Sequence, residues 1–220
     1  MFKGHCFPKA VILQAVYFKF RFSLSYRDIE ELLSVRGVKV DHATIQRWIF
    51  KFSPLVEKTF RRRKKPVGNS WRMDETYIKV KGEWKYLYRA VDKQGNIIDF
   101  LLTKRRNTFA AHRFLIQAVE GNGIPTVINI DKSGSNKKAI RVYNKRKHSK
   151  IKIRQCKYLN NGIEQDHRFI KWRIQNMLGF KNFESAGRTL SEIEVVRMIK
   201  KDQLKAPMSS TYLSFCSLVA

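Results

Sequence analysis

The chain has 220 residues, with 45 Lys plus Arg against 18 Asp plus Glu, a formal charge of +27 and a sequence pI of about 10.3. An excess of that size goes beyond what solubility asks for and points to a polyanion bound through phosphates in a salt-sensitive way. Three scattered cysteines (Cys6, Cys156, Cys216) without a CxxC pair, no apolar run near 18 residues and no charged-then-apolar leader argue against a disulfide scaffold, a zinc finger, a membrane span and export. The expectation is a soluble cytoplasmic protein without a membrane partner.

The positive charge is spread along the chain: 15 basic and 5 acidic residues in 1–70, 24 and 9 in 71–180, 6 and 4 in 181–220. Both main parts are therefore expected to face nucleic acid, and the last part less so. Residues 1–60 read as helical. In 8–20 the apolar residues Val11, Ile12, Ala15, Val16 and Phe20 recur at helical spacing. A second helix starts after Ser25, a cap candidate with Asp28 three residues on, and ends at Gly37, which suits a left-handed helix terminus. A third follows Asp41 with Ile45, Trp48, Ile49 and Phe52 as its buried stripe, and Pro54 is expected to close it. Two short helices joined by a Gly-containing turn form a helix-turn-helix pattern, in which His42, Thr44, Gln46 and Arg47 would face DNA. A helical hairpin with a polar face is the plainer reading of the same pattern. Residues 61–70 (RRRKKPVGNS) read as a basic linker, with Arg61, Arg62 and Arg63 lying along a phosphate backbone.

From residue 71 the period changes to two. Residues 72–80, 84–91 and 97–103 read as a three-stranded antiparallel meander, with Asp74, Thr76, Ile78 and Val80 on one side of the first strand. A helix over 107–120 follows, then a short apolar strand over 125–130 with Asp131 at its carboxyl end, a basic helix over 137–147, a strand over 151–154, and a helix carrying Glu164. Residues 71–180 thus read as one α/β domain, the catalytic one in the resemblance given below, and 181–220 as a helical segment and tail.

Acids on the first strand, at the end of the fourth and on the last helix can meet at one edge of such a sheet. Oxygen donors of this kind suit Mg²⁺ or Mn²⁺, and two such ions support in-line phosphoryl transfer without a protein nucleophile. On an ideal helix His167, Arg168 and Lys171 lie within about 60° of Glu164, where they could hold phosphates. Each acid also has a plain reading: Asp74 paired with Arg72, Asp131 as a cap, Glu164 paired along an exposed face. Spacing alone leaves Glu75, Asp92, Asp99 and Asp166 open as alternatives, Asp99 foremost; Asp166 points about 160° from Glu164. No GxGxxG, P-loop or GxSxG motif is present. Cys156 reads as a packed thiol, and His5 with Cys6 are too few for a metal site.

In LSYRDIEELL with RGVKVDHATIQRW, WRMDETYIKVKGEWKYLYRAVDKQGNIIDF, INIDKSG, and KYLNNGIEQDHRFIK, the chain resembles bacterial DDE transposases of the insertion sequence six family, over residues 7–203. The resemblance implies a ribonuclease H-like mixed sheet flanked by helices behind an all-α helix-turn-helix domain. It matches Asp74, Asp131 and Glu164, separated by 57 and 33 positions, to the family's catalytic, metal-binding acids. The implied activity is Mg²⁺-dependent cleavage of double-stranded DNA at inverted-repeat ends and transfer of the 3′-hydroxyl into target DNA, by a homo-oligomer of at least two chains. A decayed or domesticated DNA-binding protein without catalysis, and a nuclease that cuts without joining, are the competing readings. Two departures stand out: Asn107 follows Arg105-Arg106 where the family usually has Asp, and is expected to cap the next helix instead, and residues 205–220 have no family match.

Overall fold

The computed structural model describes residues 6–22, 24–132, 134–175, 177 and 179–219; His5 and Ser133, which enter the sequence reading, lie outside them. In chain order the elements are α1 (Lys9–Arg21), α2 (Tyr26–Val35), α3 (His42–Arg63), β1 (Ser70–Val80), β2 (Glu83–Asp92), β3 (Ile97–Thr103), α4 (Thr108–Asn122), β4 (Val127–Ile130), α5 (Gly134–Lys147), β5 (Lys152–Gln155), a 3-10 turn (Lys157–Asn160), α6 (Asn161–Gln175), α7 (Phe183–Lys200) and α8 (Thr211–Cys216). They divide into two compact units. A helical unit takes the described residues of Met1–Lys65, Arg173–Leu178 and Arg188–Ala220, and an α/β unit those of Pro66–Trp172 and Gly179–Gly187. No helix among the described residues is long and apolar enough to cross a membrane.

In the helical unit the local signals act as read. Ser25 accepts from the Asp28 amide while the Asp28 carboxylate accepts from the Ser25 amide, a reciprocal capping box at the start of α2. Gly37 sits at φ 77 beyond the other end, where its amide and that of Val38 close back on Ser34 and Leu33. Asp41 caps α3 through the Thr44 amide.

The end of α3 differs from expectation: Pro54 lies inside the helix, which runs on to Arg63. The apolar stripe explains this, since Phe52, Val56 and Phe60 are all fully buried around the proline. Each such side chain contributes about 1.5–3 kcal/mol, enough together to outweigh the roughly 3 kcal/mol that an interior proline costs. As a result, the first three residues of the expected linker are the last turn of α3, and Ser70 already belongs to β1.

The unmatched end of the chain is an integral part of this unit. Ser210 caps α8 through the Leu213 amide. Phe215, fully buried, packs edge-on against Phe20 with centroids 5.4 Å apart and against Tyr17 at 5.3 Å. Leu218 and Val219 are also buried. In α7, Glu192 is buried, accepts from the Ser53 hydroxyl at 2.8 Å and has its carboxyl pushed up to about 7, chiefly by burial.

In the α/β unit the five strands are ordered β3-β2-β1-β4-β5. The meander β1-β2-β3 is antiparallel, whereas β4 runs parallel to β1 and β5 parallel to β4. The tight β1–β2 hairpin turns on Lys81 and Gly82, at φ 52 and 81, the paired positive values a two-residue turn of this hand requires. The Asp92 carboxylate organises the β2–β3 turn, accepting from the amides of Gly68, Gln94 and Asn96 and from the Asn96 side chain. One face of the sheet, with Trp71, Met73, Tyr88, Ala90 and Ile98, is covered by α4 through Phe114 and Leu115 and by α5 through Ala139 and Ile140. Asn107 caps α4 through the Ala110 amide, the role read for it. This order and these directions are those of a ribonuclease H-like mixed sheet flanked by helices.

Candidate active site

Asp74 lies in the middle of β1, opposite Arg89 of β2. Asp131 is the first residue beyond β4, which is parallel to β1 and pairs with it. Glu164 lies in the first turn of α6. The approach to α6 is pinned beneath the sheet: Asn129 of β4 donates to the Asn160 side chain at 2.6 Å and to the Cys156 carbonyl, and Arg72 of β1 donates to the Leu159 carbonyl at 2.6 Å. Three elements thereby set Asp131 and Glu164 within electrostatic reach of Asp74.

Their meeting is registered at Asp74. Its carboxyl is pushed up to about 7, first by burial and then by the negative charges of Glu75, Asp131 and Glu164, with a backbone hydrogen bond opposing them. His167 lies beside it, Nδ1 3.8 Å from Asp74 Oδ2. Burial, Arg89 and Lys171 push the imidazole down to about 3, so it is neutral at physiological pH and the short separation is not an ion pair. The expectation that His167 holds phosphates is corrected on that ground: it is buried and uncharged. Arg168 and Lys171 are exposed on α6, as read, together with Glu164.

The rival acids are engaged elsewhere. Asp99 is buried and accepts from Gln117 Nε2 at 3.0 Å and from the Phe100 amide. Asp92 holds its turn. Glu75 accepts from Arg106 Nε and from Asn136 Nδ2. Asp166 is buried 3.9 Å from Arg89. Sequence reading missed Arg89 and Arg106; an arginine within the aromatic-rich strand WKYLYRAV, between Tyr88 and Ala90, was the available signal for the first, and nothing local marked the second.

In the helical unit His42 is exposed, 3.1 Å from the Glu30 carboxylate. Thr44 is half-buried and takes part in the α3 cap, its hydroxyl donating to Asp41 and accepting from Arg47 at 2.7 Å. Gln46 is half-buried, and Arg47 exposed. Of the linker cations, Arg61 pairs with Glu57 at 2.9 Å, Arg62 is exposed, and Arg63 donates to the Ser217 carbonyl at 2.9 Å. Arg63 is thus committed to the end of the chain, not presented to a phosphate, because α3 carries it into the packed unit.

Among the described residues no three His, Cys, Asp or Glu side chains are gathered closely enough to hold a metal ion as they stand. The donor set nevertheless fits a hard divalent cation: Asp74, Asp131 and Glu164 are all carboxylates, and their mutual repulsion at Asp74 is what such an ion would relieve.

A family model for the DDE domain, of the IS240 transposase type, matches residues 68–203. The transposase for insertion sequence-like element IS431mec of Staphylococcus aureus is 39% identical over 201 residues, covering 91% of this chain and 88% of that protein. The transposase for insertion sequence element IS257 in transposon Tn4003, also from Staphylococcus aureus, matches to the same extent. Among solved structures, the HTLV-2 integrase catalytic core domain in complex with magnesium covers 60% of this chain and 88% of its own, at 17% identity and a TM-score of 0.47. The sequence relatives, not that superposition, carry the assignment.

Proposed function

Since the chain belongs to the insertion sequence six family of DDE transposases, which are polynucleotidyl transferases, we propose that it cuts DNA at the inverted-repeat ends of its element and joins the freed 3′-hydroxyls to target DNA. Asp74, Asp131 and Glu164 are the catalytic acids in this reading, and together they hold Mg²⁺, with Mn²⁺ as a substitute. The bound ion supplies charge that activates the attacking oxygen and stabilises the leaving one. Asp74 is the rigid member, fixed mid-strand, and Glu164 the adjustable one, exposed in the first turn of α6. Arg168 and Lys171 on the exposed side of α6 bind phosphates of the strand under attack. In cleavage, a water oxygen forms the new bond to phosphorus and the 3′-oxygen leaves with a proton. In joining, that 3′-hydroxyl attacks a target phosphate and displaces a second 3′-oxygen. His167, neutral and buried beside Asp74, packs near the carboxylate without bringing a charge that would compete with the cation. In the helical unit α3 reads the repeat ends through Gln46 and Arg47 and their neighbours His42 and Thr44, with Arg61 and Arg62 on the backbone. The working form is at least a dimer, so that two ends are handled together.

The observation that carries the reading is Asp74, an acid pushed up to about 7 by burial and by three further acids, two of them brought by other elements. A strand-transfer assay with labelled repeat-end DNA and Mg²⁺ tests it. Joined product should form with the wild type and vanish in Asp74→Ala, Asp131→Ala and Glu164→Gln alike. Cleavage without joining would reduce the protein to a nuclease, and binding with neither would reduce it to a repeat-binding protein.

A further inference from the structure

The sheet face that α4 and α5 cover continues past them. Cross-strand register sets Tyr77 opposite Tyr86 and Lys79 opposite Trp84, so these four side chains stand on one face, Tyr86 at the border of the covered rows and the other three beyond it. Tyr77 lies 5.4 Å from the Tyr86 ring and 6.2 Å from the Trp84 ring. Trp84 is 59% exposed and Tyr77 45%. Single exposed aromatics are ordinary; a contiguous cluster on one uncovered face marks a binding surface.

The charges around it select the occupant. Lys79 stands 5.7 Å from the Trp84 ring, and Lys81 is exposed in the adjoining turn. Glu83, the one acid in residues 76–91, is paired with Lys85 at 2.5 Å. A fence of cations around aromatic faces suits a polyanion that carries flat rings, which is nucleic acid with its bases unstacked. Arg106 ties this surface to the acids. Its side chain donates to Glu75, a neighbour of Tyr77 on the same face; burial alone would weaken its hold on its proton, and Glu75, Tyr77 and Asp131 together more than offset that, so one guanidinium feels both the aromatic cluster and a candidate catalytic acid.

We propose that Tyr77, Trp84 and Tyr86 form a stacking platform for one or two unpaired bases of the DNA, on the sheet face opposite the one that carries Asp74. This deepens the strand-transfer reading and rests on it. A paired duplex keeps its base faces buried in the stack, so the platform engages only DNA that is frayed, tailed or flipped at that point.

The test is equilibrium binding without divalent metal, using a blunt hairpin duplex and the same duplex with a short single-stranded tail carrying 2-aminopurine. The wild type should prefer the tailed DNA by about fivefold or more, the contribution of one stacked base, with the probe's fluorescence changed on binding. Trp84→Ala should erase the preference and leave blunt-duplex affinity unchanged, and Trp84→Phe should retain it. Equal wild-type affinity for both DNAs would overturn the proposal, as would a Trp84→Ala loss that is the same for both. It would also be overturned if Trp84→Ala left DNA binding intact but lowered the sedimenting mass, since the face would then cover a second copy of the chain. Binding here needs neither cleavage nor joining, so these failures are separable from a failure of the strand-transfer assay.

Discussion

Glu192 in the helical unit and Asp74 in the α/β unit are both carboxyls pushed up to about 7, and for different reasons. Around Glu192 burial alone pushes upward, while the Ser53 hydroxyl, Lys19 and Arg188 pull the other way. Around Asp74 burial is reinforced by Glu75, Asp131 and Glu164. One acid is accommodated by its surroundings, and the other is opposed by them. Burial by itself therefore marks packing, whereas a buried acid ringed by further acids marks a place built for a cation.

The largest expected effect follows from Asp74→Asn. Joining of labelled ends should fall by about a thousandfold or more, the scale of several kcal/mol of lost charge stabilisation. Urea unfolding of the same variant should shift to higher denaturant, because a buried ionisable group opposed by its neighbours has gone. Added Mg²⁺ should stabilise the wild type and not this variant. Loss of stability together with activity would make Asp74 a packing acid like Glu192 and dissolve the contrast.

Phe215→Ala comes next, with a loss of about 3–5 kcal/mol in the unfolding of the helical unit, since the ring is fully buried against Phe20 and Tyr17. An unchanged midpoint would detach residues 205–219 from that unit.

The Glu192→Gln variant probes the other acid. A carboxyl whose native pKa is raised from 4.5 to about 7 keeps a proton that the unfolded chain releases, so the stability contributed by Glu192 is fully present at low pH and is lost as pH rises from 4.5 to about 7. The fall is at most about 3 kcal/mol. The pH dependence of the denaturation midpoint in Glu192→Gln should differ from the wild type's across that window by this one contribution, Asp74 and His167 supplying the rest, with joining unaffected; an identical pH dependence in variant and wild type would assign no share of it to Glu192.

Asp99→Asn has the smallest effect, under about 1 kcal/mol in unfolding and none on joining, because the amide oxygen can still accept from Gln117. A collapse of joining would exchange Asp99 for one of the three acids.

What could be read in advance follows the range of each interaction. Ser25, Asp41 and Asn107 cap helices through amides three residues away, and the side chains that do this are few. The alternation from Met73 to Val80 sets which residues share a sheet face, so the separation of Asp74 from Tyr77 was legible. Pro54 misled because its local cost is met by burial of Phe52, Val56 and Phe60 against partners elsewhere in the chain. His167 and Arg63 misled for the same reason: helical spacing gives a direction around the axis, not what stands there. Arg63 meets Ser217, 154 positions away.

The sequence by itself determined the elements, their order, the basic character and, through its motifs, the family, because these depend on local chemistry and on patterns a few residues long. Only the tertiary structure decided that β4 pairs with β1 and sets Asp131 beside Asp74, that Asp99 and Asp166 are occupied by Gln117 and Arg89, and that the unmatched tail completes the helical core. Those outcomes turn on burial and charge between residues distant in the chain, where no periodicity reaches.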